Sequence, residues 1–207
     1  QKEKLIEVMK EHKTPVTFRI LRRNKKWYVQ VIFTWLQKKE EVMDNTQYGT
    51  IGLDYNDGFI SMSETDYYGN LIDLKHFPLR YHGTGNKANS EIQEVLAKIV
   101  KIAKERQKPI VIEDLDFIKT KSKRTNSYGK KGKQYNKMIH AFDYSRYKDR
   151  LANVCYRNKV GLLYVNAAYT SQIGVTKYSK RMKLNRHQAA SYVIARKGQG
   201  YIDKLTK

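Results

Sequence analysis

The sequence predicts an α/β protein: a mixed five-stranded sheet with helices on both faces, preceded by a small β-hairpin unit. Three observations lead there. Past residue 47, three strand-like runs follow closely, "YGTIGLDY" (48 to 55), "GFISMSETD" (58 to 66) and "LIDLKHFPL" (71 to 79), and the turns Asn56-Asp57-Gly58 and Gly69-Asn70 between them make an antiparallel meander. A long amphipathic helix then leads into "PIVIEDL", which is too apolar for an edge strand and reads as a central, parallel one. A second helix, the run "VGLLYVNAAY" (160 to 169) and a closing helix complete the chain.

Each element has its own warrant. Residues 2 to 11 suit a short helix closed by the Thr14-Pro15 step, because a residue before proline is pushed out of the α region. Val16, Phe18 and Ile20 alternate with polar residues, "RRNKK" turns the chain, and Trp27, Val29, Val31, Phe33 and Trp35 alternate again, which is a hairpin. The charged stretch "QKKEEVMDN" (37 to 45) reads as a linker, so the domain boundary is expected near residue 46, giving units 1–46 and 47–207. In the first long helix Ile92, Val95, Leu96, Ile99, Ile102 and Ala103 share one face, with Asn89 or Ser90 as N-cap. The second helix is expected over 137 to 157, with Ile139, Phe142, Leu151, Val154 and Cys155 facing inward. In the last, "LNRHQAASYVIARKGQG" (184 to 200), Asn185 and Gln188 have the spacing of a capping box. Three antiparallel strands followed by helix-linked parallel ones is the RNase H-like arrangement, an order that several α/β folds share in part.

Composition narrows the partners. Forty-one Lys and Arg against 20 Asp and Glu leave a formal charge of +21, spread along the chain, and sixteen tyrosines stand among those cations. A polyanion is the natural partner, with bases or riboses stacking on the rings. The insertion at 118–137 concentrates the charge in Lys119, Lys121, Lys123, Arg124, Lys130, Lys131, Lys133 and Lys137, with no acid among them, and suits either a nucleic-acid backbone or a solvated excursion. With Cys155 alone there is no internal disulfide and no cysteine zinc site, which suits a reducing, cytoplasmic compartment. No apolar run approaches the ~18 to 20 residues of a membrane span, and no signal sequence precedes the first charged helix. Opening on Gln1 rather than Met, the chain is expected to be a fragment of a longer protein.

Two acids break the apolar pattern. Asp54 lies inside the first core strand beside Gly52 and Leu53, and Glu113 ends the central strand in "IVIED". Burying a carboxylate costs several kcal/mol unless it is paired or bound to a cation. Either acid alone also suits a strand-end cap, whereas both on neighbouring strands would face each other and need a divalent ion. His187 in the first turn of the last helix would point at them, the helix N-terminus favouring neutral imidazole, although a lone histidine there equally serves in local capping or packing. His12, His76, His82 and His140 have no comparable setting, and Asp57, Asp114 and Asp116 read as turn or cap residues.

The stretches "IGLDYNDGFISMSETDYYGN", "KPIVIEDLDF", "NAAYTSQIG" and "LNRHQAASYVIARKGQGY" together resemble the RuvC-like nuclease domain of transposon-encoded TnpB proteins, relatives of the type V CRISPR effectors. The resemblance covers about residues 48 to 202, and the preceding hairpin resembles the end of that family's β-barrel wedge domain. It implies an RNase H fold and a Mg²⁺-dependent endonuclease, Mn²⁺ substituting, that cuts DNA selected by pairing with a guide RNA. By motif Asp54 matches the first acid and Glu113 the second, with Asp54, Glu113 and His187 as catalytic and metal-binding residues. At the third position the family usually has an aspartate before Asn-Ala-Ala; the "RHQAA" form resembles a TnpB-related branch. "TSQIGVTKYSKRMK" carries no cysteine where the family's zinc module would lie, so no zinc is expected. Two other readings stand beside this one: a cleavage-dead, guide-RNA-binding repressor descended from such a nuclease, and a dimeric resolvase of the Holliday-junction type.

Overall fold

The computed structural model describes residues 2–11, 14–34, 42–56, 58–80, 85–114 and 144–205. The chain forms two compact units, Gln1–Glu41 and Val42–Lys207. The boundary therefore lies before residue 42 and not near 46. The reason is local: Met43 N–H donates to Lys159 O (2.9 Å) and Gly161 N–H donates to Met43 O (2.8 Å), fastening 42–46 to the larger unit.

In the smaller unit α1 (Lys2–Glu11) precedes a hairpin of β1 (Val16–Arg23) and β2 (Lys26–Phe33), paired from Val16↔Phe33 to Arg23↔Lys26. Asn24 and Lys25 both take positive φ (48° and 62°), as a two-residue hairpin turn with the right twist requires. Phe18, Ile20, Trp27 and Val29 share one face and are exposed. Trp35, expected in the second strand, lies outside the described residues.

The larger unit is a five-stranded sheet ordered β5-β4-β3-β6-β7, from β3 (Ile51–Asn56), β4 (Phe59–Thr65), β5 (Leu71–Pro78), β6 (Ile110–Asp114) and β7 (Leu162–Asn166). β3, β4 and β5 run antiparallel, and β6 and β7 join β3 in parallel. This is the RNase H-like sheet that the order of elements foretells. Side chains alternate in β3: Ile51 and Leu53 enter the main core with Ile92, Leu96 and Ile99 of α2 (Asn86–Arg106) and with Tyr147 and Leu151 of α3 (Tyr144–Asn158). Gly52 faces the other way, where α6 (Arg186–Gly198) crosses so closely that an added Cβ would stand 2.2 Å from Ser191 O. Helices thus cover both faces, and among the described residues none is long and apolar enough to cross a membrane.

Three details differ from the sequence reading. α2 begins at Asn86, capped by Gly85 without a side-chain bond, rather than at Asn89 or Ser90. The start expected for α3, with Ile139 and Phe142, lies outside the described residues, whereas Leu151 and Cys155 are buried as expected and Tyr144 and Tyr147 join them. Tyr147 stacks on Tyr55 with ring centroids 4.0 Å apart and planes 6° from parallel, seating α3 on β3. The segment given no element is helical: α4 (Thr170–Ile173), a π-helical turn (Gly174–Ser179) and α5 (Lys180–Met182). Ile173 and Tyr178 from it pack with Ala189, Tyr192 and Val193 of α6.

Two ion pairs close the molecule. Lys108, just past α2, donates to Glu64 Oε1 (2.6 Å) and Thr65 O (2.7 Å), so both buried charges are compensated. Beyond α6, Asp203 accepts from Arg196 Nε (2.9 Å) and the Tyr178 hydroxyl (2.8 Å). The Arg196 guanidinium also lies over the Tyr201 ring at 4.4 Å, which folds the tail back onto its helix.

Candidate active site

The site arises where two parallel neighbours separate. The β3–β6 ladder runs Ile51↔Ile110 and Gly52↔Val111 and ends there, while β6 stays with β7 as far as Asp114↔Asn166. Gly52 meets Ser191 and Ala195 of α6, and Val111 meets Gly198 of the same helix. Side chains two residues on return to that face, so Asp54 and Glu113 flank the opening beneath α6. Crevices at the carboxyl ends of parting strands are where open α/β sheets bind ligands.

The start of α6 is fixed by its cap. Asn185 Oδ1 accepts from the backbone N–H of His187 (3.0 Å) and of Gln188 (2.9 Å), and Gln188 Oε1 accepts from Asn185 N–H (2.9 Å). The capping box read from the sequence is present. Ser191 Oγ lies 2.6 Å from Ser63 Oγ and 3.3 Å from Ser61 Oγ, which seats the next turn on β4. His187 then reaches back to β3, its Nδ1 lying 3.0 Å from Asp54 Oδ2. Asn56 Nδ2 donates to the same carboxylate oxygen at 2.9 Å. Asp54 is 13% exposed and His187 41%, so the imidazole roofs the carboxylate and opens to solvent. An ionised carboxylate only accepts, so Nδ1 carries the proton and, in the neutral ring, Nε2 keeps its lone pair.

Glu113 is held from below and beside. Burial pushes its carboxyl up from 4.5 to about 7; the Thr170 hydroxyl works against this, the charge of Asp54 adds to it, and Lys197 opposes it. Lys197 Nζ donates to Thr170 Oγ1 (2.9 Å), Asn166 O (2.8 Å) and Ala168 O (3.0 Å), tying the end of β7 to α6 beside the carboxylate. The Tyr144 hydroxyl donates to the Glu113 carbonyl.

Asp54 and Glu113 together therefore form a half-buried anionic pair. Glu113 is raised by burial first and by the charge of Asp54 besides, and two hard oxygen donors there fit a divalent cation such as Mg²⁺. The three-residue cage expected from the sequence is not assembled. Among the described residues no group of three or more His, Cys, Asp and Glu side chains is arranged to hold a metal ion. His187 is engaged at Nδ1 by Asp54.

No protein-family model matches the sequence, and no curated protein matches it. Among solved structures the chain is similar to T. thermophilus RuvC in complex with a Holliday junction substrate, with 10% identity and a TM-score of 0.47, over 70% of this chain and 89% of that one.

The eight basic residues expected to hold nucleic acid, Lys119, Lys121, Lys123, Arg124, Lys130, Lys131, Lys133 and Lys137, lie outside the described residues, as do His12, His82, His140, Asp57 and Asp116. Asp114 points away from the pair and accepts from Lys148 Nζ at 2.8 Å. Asn56, Thr170 and Lys197 were not singled out from the sequence. The signal for Asn56 is its place two residues beyond Asp54, on the same face of the strand. Thr170 and Lys197 meet only through the tertiary fold. His76, set aside in the sequence, lies with its ring 4.8 Å from that of Phe59, which in turn meets the His187 ring edge-on at 5.0 Å.

Proposed function

We propose that residues 42–207 form the hydrolytic domain of a metal-dependent DNA endonuclease of the TnpB-like, RNA-guided kind. The observation that carries the reading is the meeting of Asp54 with His187 across from Glu113, where β3 and β6 part. The charge of +21 supports a polyanionic substrate. Guide RNA enters through the sequence resemblance alone, and a reducing, cytoplasmic setting through the single, buried Cys155.

Asp54 and Glu113 would hold Mg²⁺, or Mn²⁺ in its place, which when bound supplies positive charge to a phosphodiester and acidifies a water. His187, its Nδ1–H donated to Asp54, offers Nε2 to take a proton from the water that attacks phosphorus. The new P–O bond forms as the P–O3′ bond breaks, leaving a 5′-phosphate and a 3′-hydroxyl that takes its proton from solvent. Asn56 holds the Asp54 carboxylate in register, and Lys197 holds Thr170 against Glu113.

A second reading, the cleavage-dead binding module, is favoured by one observation: the described acids and histidines form no three-ligand group. Titration of Mg²⁺ or Mn²⁺ with single-stranded DNA, wild type against Asp54→Ala, separates the two. Metal-dependent cutting that Asp54→Ala abolishes supports the nuclease. Metal-independent binding with no cutting by either chain sinks it in favour of the binding module.

A further inference from the structure

Phe59 and His76 have no part in the chemistry above, yet they border it. Register sets Asp54, Ser61 and His76 in one row across β3, β4 and β5, and Asn56, Phe59 and Pro78 in the next. Residues directly opposite in antiparallel strands share a face, and the contact of Ser61 with Ser191 identifies it as the face that carries Asp54 and His187. With strands about 4.8 Å apart, the His76 backbone stands about 10 Å from that of Asp54 along the row.

The rings along this path are continuous. His76 and Phe59 lie 4.8 Å apart with planes 31° from parallel, and Phe59 meets His187 at 5.0 Å and 84°. Helix α6 packs on β3 and β4, so Ser61 is covered, while His76 on β5 is exposed and Phe59 half-buried. The run of rings thus leads out from the imidazole on Asp54 to an open position on the outermost strand. In a chain of charge +21 the group that combines a phosphate, which Asp54 and Glu113 would hold through a divalent cation, with a flat π-face one step away is a nucleotide.

We propose that Phe59 and His76 form a stacking platform for an unpaired nucleobase on the strand whose phosphate lies at Asp54 and Glu113. The platform rests on the nuclease reading for the position of that phosphate. It selects single-stranded over paired substrate, because a base inside a duplex presents no free face to a ring.

The probe is a short single-stranded DNA oligonucleotide carrying 2-aminopurine, titrated with the whole chain with Ca²⁺ in place of Mg²⁺, so that the acids can hold a cation while binding is read apart from cutting. The wild type should quench the fluorophore, and His76→Ala should weaken binding about fivefold or more. His76→Phe, which keeps a ring and no charge, should restore the affinity; His76→Lys, which keeps a cation and no ring, should not. Equal affinity of His76→Ala and the wild type overturns the platform, and so does rescue by Lys but not by Phe. A parallel assay in Mg²⁺ keeps the two ideas apart. Ring-dependent binding with no cutting leaves the platform standing and removes the nuclease, whereas cutting with no dependence on the ring removes the platform alone.

Discussion

His187 Nδ1 and Asp54 Oδ2, 3.0 Å apart, join the first turn of the last helix to the first strand of the sheet across 133 positions of sequence. The contact makes each residue depend on the other. Asp54→Asn replaces the accepting anion and, on the proposed nuclease reading, would remove a cation ligand, as His187→Ala would remove the proposed proton acceptor. Single-turnover cleavage should fall by roughly 10²- to 10⁴-fold for His187→Ala, the range of a lost acid–base group, and at least as far for Asp54→Asn. Circular dichroism melts of both should stay within a few degrees of wild type, because neither side chain belongs to the apolar core.

Glu113 sets a pH dependence whose sign follows from its environment. Burial, with the charge of Asp54, raises its carboxyl from 4.5 to about 7 in the folded chain, against the pull of Thr170 and Lys197. The folded state therefore binds this proton more tightly than the unfolded one. The stability it contributes is full below 4.5 and is lost as pH rises through about 7, a change of roughly 3 kcal/mol at most. Urea midpoints in metal-free buffer should fall over that window, and Glu113→Gln should flatten the curve. Lys197→Met should move the step to higher pH, since it removes a charge that holds the carboxyl down.

Gly52 is a test of packing alone. A Cβ there would lie 2.2 Å from Ser191 O and 2.4 Å from Ala195 N, backbone atoms of a helix that cannot yield locally. Gly52→Ala should destabilise by at least ~1 to 3 kcal/mol, the range for overpacked sites, and lower cleavage by lifting His187 from Asp54. Chemical denaturation and single-turnover rates measured together check both effects.

Asp203 and Arg196 should fail in the opposite pH direction. Burial works to raise the Asp203 carboxyl, but the hydrogen bonds from Arg196 and Tyr178 and the nearby cations outweigh it and hold the group below 3.8. Its contribution is present above 3.8 and is lost as pH falls below it. Asp203→Asn leaves the half-buried guanidinium without its anion and should cost about 3 kcal/mol at neutral pH, read as a drop in the urea midpoint.

The parts of the fold legible in the sequence are those with local causes. Period-two apolar runs mark β3, β4 and β5, the uninterrupted run before Glu113 marks a central parallel strand, and Asn185 with Gln188 marks the start of α6 and so the place of His187. Where the cause is tertiary, the signal is missing. α2 starts at a glycine with no side-chain cap, while the better capping residues, Asn89 and Ser90, sit inside the helix. The helical turns from Thr170 to Met182 carry few apolar residues at helical spacing and are held mainly by burial of Ile173 and Tyr178 on α6. Lys197 and Thr170 lie 27 positions apart and on different elements, and only the closed sheet brings them to Glu113. His187 is the instructive case. Its place at the start of α6 was legible from the capping box, but its engagement by Asp54 depends on ångström-scale placement that no spacing encodes.

The parting of β3 from β6 is a property of main-chain pairing, independent of the carboxylates that line it. The fissure would persist with both acids replaced, since the ladder that ends at Gly52 and Val111 and the helix laid across it owe nothing to charge. Shape and reactivity are thus inherited separately in this chain. If the proposed nuclease reading holds, one substitution would silence the chemistry and leave the proposed polyanion-binding surface intact, a short evolutionary path from a cutter to a clamp.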